Sequence, residues 1–235
     1  FQSCVTLGDV NGDGKLDMVT ANLFSNNVSV LLGNGDGTFQ GQQTFATGTS
    51  PRSVTLGDVN GDGKLDFVTA NANSNNASVL LGNGDGTFQS ASNFGTGTNP
   101  TSVKLGDVNG DGKLDIVTAN FNSDNASVLL GNGNGTFQSA SNFGTGMAPY
   151  SVTLGDVNGD GRLDIVTANR NSNTASVLLG NGNGTFQGQQ TFGTGNDPSS
   201  VTLGDVNGDG RLDIVTANKF RDDASVLLGN GNGTF

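Results

Sequence analysis

The feature that most constrains this chain is a nine-residue acidic loop, DVNGDGKLD or DVNGDGRLD, that recurs along its whole length. The five copies are spaced 49 residues apart and begin at Asp9, Asp58, Asp107, Asp156 and Asp205. A fixed period of this length is typical of repeat architectures, in which each unit buries its apolar faces against its neighbours. We therefore predict one repeat array over residues 1–235. Its approximate units are residues 1–49, 50–98, 99–147, 148–196 and 197–235.

The composition of the repeat favours β structure. Glu, His and Trp are absent, Gly occurs 39 times, and no run of helix-favouring residues is long enough for a helix. In the unit of residues 50–98, short apolar runs separated by polar and glycine turns predict strands at 53–56, 65–70, 78–81 and 88–94. The second of these strands is apolar on both faces, so both faces must be covered.

Four short antiparallel strands in 49 residues match the size of a β-propeller blade, which has about 40–50 residues. A helix-containing repeat has no segment to use here, and a parallel β-helix has a shorter coil. The predicted fold is therefore all-β, a β-propeller with five repeats of a four-stranded antiparallel blade. Two phenylalanines at fixed repeat positions are predicted to pack between blades, and the fifth unit stops at Phe235, where its fourth strand would begin. Either a three-stranded last blade closes the ring, or the blades belong to a larger ring or filament.

The formal net charge of −11 is concentrated in the loops, which hold fifteen of the 21 acidic residues, all of them Asp. Five divalent cations would nearly cancel this charge, so the acidic residues are interpreted as ligands rather than as a solvated surface. The same charge disfavours nucleic acid and anionic membranes as partners. No stretch approaches the roughly 18 apolar residues of a membrane span, and the N-terminal sequence is not expected to act as a signal peptide. Because the chain begins at Phe1 without Met, we expect a processed or excised segment.

The only cysteine, Cys4, is interpreted as a small residue within a strand. Its counterparts in the later repeats are Ser53, Ser102, Ser151 and Ser200. A single cysteine excludes a disulfide framework, and a cysteine nucleophile would need a His, which the chain lacks.

The loop places side-chain oxygens at its positions one, three, five and nine, with the backbone carbonyl of position seven between them. Oxygen donors without His or thiolate favour calcium over zinc or copper. An EF-hand would need a Glu at position twelve and flanking helices, and position twelve is instead a Thr within a strand. The alternative is an Asn/Asp/Gly turn without metal, which would bring three carboxylates together without compensation.

The loop, the following LDIVTAN-type strand, the VLLGNGDGTF segment and the phased prolines resemble the FG-GAP/VCBS repeat family over nearly the whole chain. Members of that family include the integrin α-chain head and secreted bacterial and fungal propellers, in which about seven blades are common. The resemblance implies one Ca2+ per repeat, five in all, held in the hairpin between the first two strands of each blade. The implied ligands, with Lys and Arg acting through the backbone carbonyl, are Asp9, Asn11, Asp13, Lys15, Asp17, Asp58, Asn60, Asp62, Lys64, Asp66, Asp107, Asn109, Asp111, Lys113, Asp115, Asp156, Asn158, Asp160, Arg162, Asp164, Asp205, Asn207, Asp209, Arg211 and Asp213.

The copies differ from one another in the turn between strands two and three and in the link between blades. In an antiparallel meander these two connections lie on one rim, and the acidic loops and glycine turns lie on the other. Variation at exposed loops is consistent with drift or with a recognition surface. The predicted ligand-binding residues of such a surface are Phe24, Phe121, Tyr150 and Arg170.

Three classes of function follow from these features. The first is an extracellular adhesion or surface-assembly module in which calcium is structural, with a protein or glycan ligand and strand-sharing self-assembly as further expectations. The second is a calcium-dependent lectin, which predicts aromatic residues repeated every 49 residues on the variable rim, and these are missing. The third is an enzyme, which we exclude because the chain offers no credible general base.

Overall fold

The structure, a computed structural model, describes residues 4–235. These residues form 19 β-strands and no helix, and the strands make five antiparallel sheets. The prediction of an all-β propeller with five repeats is therefore confirmed. Residues 1–3, with which the first predicted unit begins, lie outside the described residues.

Each sheet is one blade and corresponds to one repeat. Blade 1 contains β1 (Val5–Gly8), β2 (Asp17–Asn22), β3 (Asn27–Leu31) and β4 (Gln43–Ala46). Blade 2 contains β5 (Pro51–Gly57), β6 (Asp66–Asn71), β7 (Asn76–Leu80) and β8 (Ser92–Gly95). Blade 3 contains β9 (Pro100–Gly106), β10 (Asp115–Asn120), β11 (Asn125–Leu129) and β12 (Ser141–Gly144). Blade 4 contains β13 (Pro149–Gly155), β14 (Asp164–Asn169), β15 (Thr174–Leu178) and β16 (Gln190–Gly193), and blade 5 contains β17 (Pro198–Gly204), β18 (Asp213–Asn218) and β19 (Asp223–Leu227).

The strands of each blade pair in chain order, as in a meander. In blade 2, Val68 lies opposite Thr55 on one side and Val79 on the other. Every residue of β6, β10 and β14 is buried, so the prediction that both faces of the second strand are covered is confirmed.

The fourth strand begins later than the sequence predicts. Phe88 forms only an isolated bridge with Gly82, and the regular strand starts at Ser92. Exposed Gln89 and Ser90 separate the bridge from the strand. The interruption lets the chain leave the sheet after Phe88, which is buried against the neighbouring blade.

Apolar clusters join consecutive blades. Between blades 2 and 3, Val68 and Val79 of one blade pack with Ile116 and Leu129 of the next. Edge-to-face phenylalanine pairs reinforce each junction, with ring centroids 5.2–5.3 Å apart, at Phe45–Phe88, Phe94–Phe137, Phe143–Phe186 and Phe192–Phe235. The predicted inter-blade role of the two phenylalanine positions is confirmed.

The first and last blades each have an apolar face that these clusters leave uncovered. Val128 of blade 3 is 1% exposed, whereas its counterpart in blade 5, Val226, is 53% exposed. On blade 1, Val5, Leu7 and Leu16 are likewise exposed. In the part of the chain that the structure describes, the four core clusters therefore join five blades without packing the fifth against the first.

A buried amide network holds the opposite end of each blade. In blade 3, the Asn120 side chain donates to Asn125 Oδ1 (2.8 Å) and Ser127 Oγ (2.7 Å), while Thr118 Oγ1 donates to Asn120 Oδ1 (2.9 Å). Ser127 Oγ also accepts from the amide of Gly97 in the link that precedes the blade (2.9 Å). A Cβ at Gly97 would lie 2.6 Å from Asn120 Nδ2, so the network leaves no room for a side chain at this position. The same network accounts for the Thr and Asn of the VTAN sequence.

Candidate functional site

Each acidic loop is wound around the carboxylate of its first residue. In blade 3, Asp107 Oδ1 accepts from the amides of Gly110 (2.7 Å) and Asp111 (3.1 Å), and Oδ2 accepts from Gly112 (2.8 Å). Gly110 and Gly112 have φ of 76° and 79°, a backbone conformation that disfavours L side chains. The same three hydrogen bonds recur in every blade.

The side chains at positions three and five continue this pattern. Asn109 Oδ1 accepts from the amide of Asp111, and Asp111 Oδ1 accepts from the amide of Lys113, both at 3.0 Å. The Lys113 ammonium also lies 3.4 Å from Asp111 Oδ2. This ion pair is exposed, and such pairs contribute little to stability.

The carboxylate at position nine is fully buried at the start of the second strand. Asp115 Oδ2 accepts from the amide of Val108 (2.9 Å), and Oδ1 accepts from Gly131 in the glycine turn (2.8 Å). Asp115 therefore ties the acidic loop to the glycine turn of its own blade. The corresponding residues, all fully buried, are Asp17, Asp66, Asp164 and Asp213. Sequence reasoning assigned position nine only to metal and missed this structural role.

The carboxylates of one loop act on each other electrostatically. Burial raises the pKa of Asp66 and Asp115, and raises that of Asp164 to about 6. The two backbone hydrogen bonds to each of these residues oppose that increase, and the negative charges at positions five and one add to it. At position five of blade 3, the amide of Lys113 lowers the pKa of Asp111. Three carboxylates in each of these loops are thus close enough to repel one another.

The donor chemistry of the loops fits a hard divalent cation. Every side-chain donor is a carboxylate or amide oxygen, and a cation would relieve the repulsion between the carboxylates. Among residues 4–235, however, no three acidic side chains converge as a metal-binding group. The carboxylates are instead turned toward backbone amides. The residues that would hold an ion in blade 3 are Asp107, Asn109, Asp111, the Lys113 carbonyl and Asp115, with their counterparts in the other blades.

The structure places the two kinds of connection on opposite rims, as predicted. The loop rim consists of the acidic loops and the glycine turns, joined in blade 3 by the bond from Gly131 to Asp115. The variable rim consists of the turns between strands two and three and the links between blades. Here the amide of Ala148 in a link donates to Asp124 Oδ1 in the preceding turn at 2.7 Å.

The variable rim brings together three of the four predicted ligand-binding residues. The rings of Phe121 and Tyr150 meet edge to face at 6.0 Å, and the Arg170 guanidinium lies 5.1 Å from the centroid of the Tyr150 ring. Phe24 belongs to a different part of this rim, the turn after β2 in blade 1, and it is 75% exposed.

A buried carboxylate fixes the orientation of Arg170. Asp197 accepts from Arg170 Nε at Oδ1 and from Nη2 at Oδ2, the latter at 2.8 Å. This bidentate contact raises the pKa of Arg170 and holds its guanidinium over Tyr150. Sequence reasoning missed Asp197, although its repeat position also varies, as Ser50, Asn99 and Ala148.

A cleft of about 430 Å³ opens beside this group. The residues that line it are Phe121, Arg170, Asn171, Asn173, Asn196, Asp197 and Phe220. Aromatic walls and side-chain amides suit a ligand that has both apolar faces and hydrogen-bonding groups. Because Asp197 already neutralises Arg170, the cleft favours a neutral ligand over an anionic one.

The comparisons with known proteins agree with this fold. A family model described as FG-GAP-like repeat matches residues 9–69, 58–118, 107–167 and 156–216. No curated protein matches the chain. Residues 4–235 contain no helix that is long and apolar enough to cross a bilayer.

Several solved structures share the architecture. A lectin from Agrocybe aegerita that recognises non-reducing terminal N-acetylglucosamine is 24% identical with a TM-score of 0.64, and the match covers 100% of this chain and 65% of that chain. A functionally unknown protein from Desulfotomaculum acetoxidans is 14% identical with a TM-score of 0.63, covering 97% of this chain and 69% of that chain. The biofilm matrix protein of V. cholerae is 18% identical with a TM-score of 0.58, covering 99% and 38% respectively. The chain thus spans less than two thirds of the lectin and of the biofilm protein.

Proposed function

This chain belongs to the FG-GAP-like repeat family, and on that premise we propose that it is a calcium-binding extracellular β-propeller that serves as an adhesion or surface-assembly module. Calcium has a structural role at the loop rim, and a protein or glycan ligand binds at the variable rim. The chain has no catalytic role in this proposal, because its carboxylates are committed to the loops and it contains neither His nor Glu.

The observation that carries the calcium proposal is the presence in each repeat of a loop with only oxygen donors, together with the repulsion that two other loop carboxylates exert on position nine in blades 2, 3 and 4. In blade 3, Asp107, Asp111 and Asp115 supply the negative charge, and Asn109 and the Lys113 carbonyl supply neutral oxygens. Bound calcium would neutralise these charges and crosslink the loop. Extracellular calcium is abundant enough to load sites whose dissociation constants reach about 10⁻⁴ to 10⁻³ M.

Isothermal titration calorimetry tests the proposal by measuring how many calcium ions bind to one chain. We expect five calcium ions per chain, and four for Asp111→Asn, which removes one exposed carboxylate and keeps an oxygen that can accept from Lys113. Asp85→Asn is the matched control, because its counterpart in blade 3 is already Asn134, and it should keep five sites. Absence of saturable calcium binding would remove the basis of the proposal.

The recognition role rests on the group of Phe121, Tyr150, Arg170 and Asp197 beside the cleft. These residues occur once in the array, so they supply a single specific site rather than one per blade. The test is binding of the labelled chain to intact cells in millimolar calcium. Tyr150→Thr, which introduces the residue found at Thr101, should reduce that binding, and Phe24→Asn, which matches Asn73, should not. Equal loss in both variants would contradict this site.

A calcium-dependent lectin is the second candidate, and the cleft favours it through its aromatic walls and neutral amides. The fold likeness to a lectin that recognises terminal N-acetylglucosamine supports the same candidate. A glycan array in millimolar calcium separates the two functions. Binding that simple sugars compete away would favour the lectin, whereas cell binding that sugars leave intact would favour a protein ligand.

Strand-sharing self-assembly is also part of the proposal. The support is the edge strand β19 of the fifth sheet, which carries exposed residues, together with the uncovered apolar faces of blades 1 and 5. An exposed strand edge can pair with another chain. Sedimentation equilibrium should show a mass that increases with concentration, and a monomer at all concentrations would contradict self-assembly.

A further inference from the structure

The first strands of all five blades line one central cavity with a volume of about 290 Å³, which is called the central channel below. Its wall contains hydroxyl groups from each blade, for example those of Thr6, Ser53, Ser102, Ser151 and Ser200. Neither the acidic loops nor the cleft on the variable rim forms part of this space, apart from Tyr150, which the channel shares with the variable rim. The channel is therefore a second concave surface for which the function proposed above has no use.

The charge of the channel is opposite to that of the whole chain. Among its lining residues, Arg52 and Lys104 are charged, and no carboxylate is present. The chain as a whole has a formal net charge of −11 and only ten basic residues. Five of these lie at position seven of the loops, and Arg170 pairs with Asp197. Two of the remaining four basic residues thus line one small cavity.

The basic side chains of Arg52 and Lys104 form no ion pair with an acidic residue within residues 4–235. Arg52 Nε is buried, and it is the one buried side-chain nitrogen or oxygen in that part of the chain without a hydrogen-bond partner. Buried donors are nearly always paired in folded proteins, and an unpaired one on a charged group is especially unfavourable. An acceptor supplied by a ligand would remove this deficit.

The neighbouring serines can add further donors. The amide of Val152 donates to Ser102 Oγ at 3.3 Å, and the amide of Val201 donates to Ser151 Oγ at 3.2 Å. Because these oxygens already accept from the next blade, their own hydroxyl protons remain to be donated to a ligand. A cavity with one guanidinium, one ammonium and several hydroxyl donors, and without carboxylates, suits negatively charged oxygen.

We propose that the central channel binds a small oxyanion, such as sulfate, phosphate or a carboxylate, with Arg52 as the principal contact and Lys104 as the second. A guanidinium can donate two parallel hydrogen bonds to such a group, and an ammonium adds a point charge. Large polyanions are disfavoured because the surface of the chain is strongly acidic, whereas a small ion can enter the channel and approach the half-buried Arg52, with the exposed Lys104 at the channel wall. This proposal does not depend on the function proposed for either rim.

A calorimetric titration of the chain with sodium sulfate, in a buffer without other oxyanions, tests the proposal. The repeat supplies conservative variants: Arg52→Thr introduces the residue at Thr101, and Lys104→Thr introduces the residue at Thr55 and Thr153. We expect one sulfate per chain, with binding weakened about tenfold or more by Arg52→Thr, since a charge-assisted hydrogen bond is lost, and less by Lys104→Thr. Phosphate and acetate titrations then distinguish a tetrahedral oxyanion from a carboxylate.

Lys219→Ala is the charge control, because it changes the net charge equally but lies outside the channel and matches Ala72. If it weakens sulfate binding as much as Arg52→Thr, the effect is one of overall charge and the proposal is wrong. Absence of saturable binding by the unmodified chain also overturns it. Should Arg52→Thr fail to fold, the NMR signal of Arg52 Nε–H in the unmodified chain provides the test. It should shift on addition of sulfate, and an unchanged signal contradicts the channel site.

Discussion

The two rims of this propeller are built from the same repeat but differ in what their side chains do. On the loop rim, the carboxylates of Asp107 and Asp115 accept five hydrogen bonds from backbone amides, and the other blades repeat the pattern. On the variable rim, the contacts of Arg170 with Asp197 and Tyr150 occur once, across blades 4 and 5. On the loop rim, the aspartates that accept from backbone amides are the same in every copy, whereas the contacts of Arg170 are made by residues that differ between copies. This comparison separates residues required by the fold from residues available for recognition.

Removal of calcium should produce the largest effect, because it acts on the loop rim of every blade. A site saturated at about 100 times its dissociation constant adds about 2.7 kcal/mol to the free energy of unfolding, and five sites are proposed. We expect EDTA to lower the melting temperature strongly, as measured by differential scanning calorimetry. An unchanged melting temperature in EDTA would show that the backbone hydrogen bonds of the loops suffice for folding without metal.

Asp115→Asn should produce the next largest effect. The amide side chain has one acceptor oxygen in place of two, so either Val108 or Gly131 loses its partner in a fully buried position. Leaving a buried donor unsatisfied costs about 1–3 kcal/mol, and loss of a charged acceptor places the expected cost toward the upper value. Urea denaturation in EDTA measures the cost of the lost hydrogen bond separately from any effect on calcium binding. Asp85→Asn, which keeps the oxygen that accepts from Thr87, should change stability by less than about 0.5 kcal/mol.

Gly97→Ala tests the amide network at the other end of the blade. Its Cβ would lie 2.6 Å from Asn120 Nδ2 and Ser123 Oγ, so the network must shift to admit it. Overpacking of this kind costs about 1–3 kcal/mol. The control is Gly95→Ala, at a position with open space around the added Cβ and with Ala46 as its counterpart in blade 1. If both substitutions lower the melting temperature equally little, the amide network is not the reason why glycine is required at position 97.

Because burial raises the pKa of position nine, we expect the stability of the fold to change with pH in opposite directions with and without calcium. Burial raises the pKa of Asp164 from 3.8 to about 6, so the folded state binds more protons than the unfolded state between these values. Without calcium, this residue therefore makes stability fall as pH rises from about 4 to 6. With calcium, which requires the ionised form, stability should rise over the same interval. Urea titrations at several pH values measure both slopes, and equal slopes would contradict a metal at Asp164.

The sequence alone predicts the regular parts of this molecule because the residues that indicate strands, turns and loops occur five times at the same positions of the repeat. The blade, the opposite rims and the phenylalanine pairs all follow from residues at a fixed repeat position. The dual role of Asp115 could not be found in this way, because an aspartate that accepts from amides and one that binds metal have the same spacing. Asp197 was missed because its partner Arg170 lies in the previous blade, and only three-dimensional proximity connects two variable positions. The late start of the fourth strand depends on how Phe88 packs against a neighbour.

Apart from the control substitutions, Tyr150→Thr should have the smallest effect on stability, and it provides the most direct test of the difference between the rims. The substitution removes the contacts of the Tyr150 ring with Phe121 and Arg170, which contribute about 0.5–1 kcal/mol each when partly exposed. Asp197 continues to hold Arg170, so the backbone hydrogen bonds of the link should not change. We therefore expect urea denaturation to show a smaller loss than for Asp115→Asn, together with a marked loss of ligand binding. A stability loss equal to that of Asp115→Asn would mean that the variable rim is required for folding, and recognition would then no longer be the explanation for its variation.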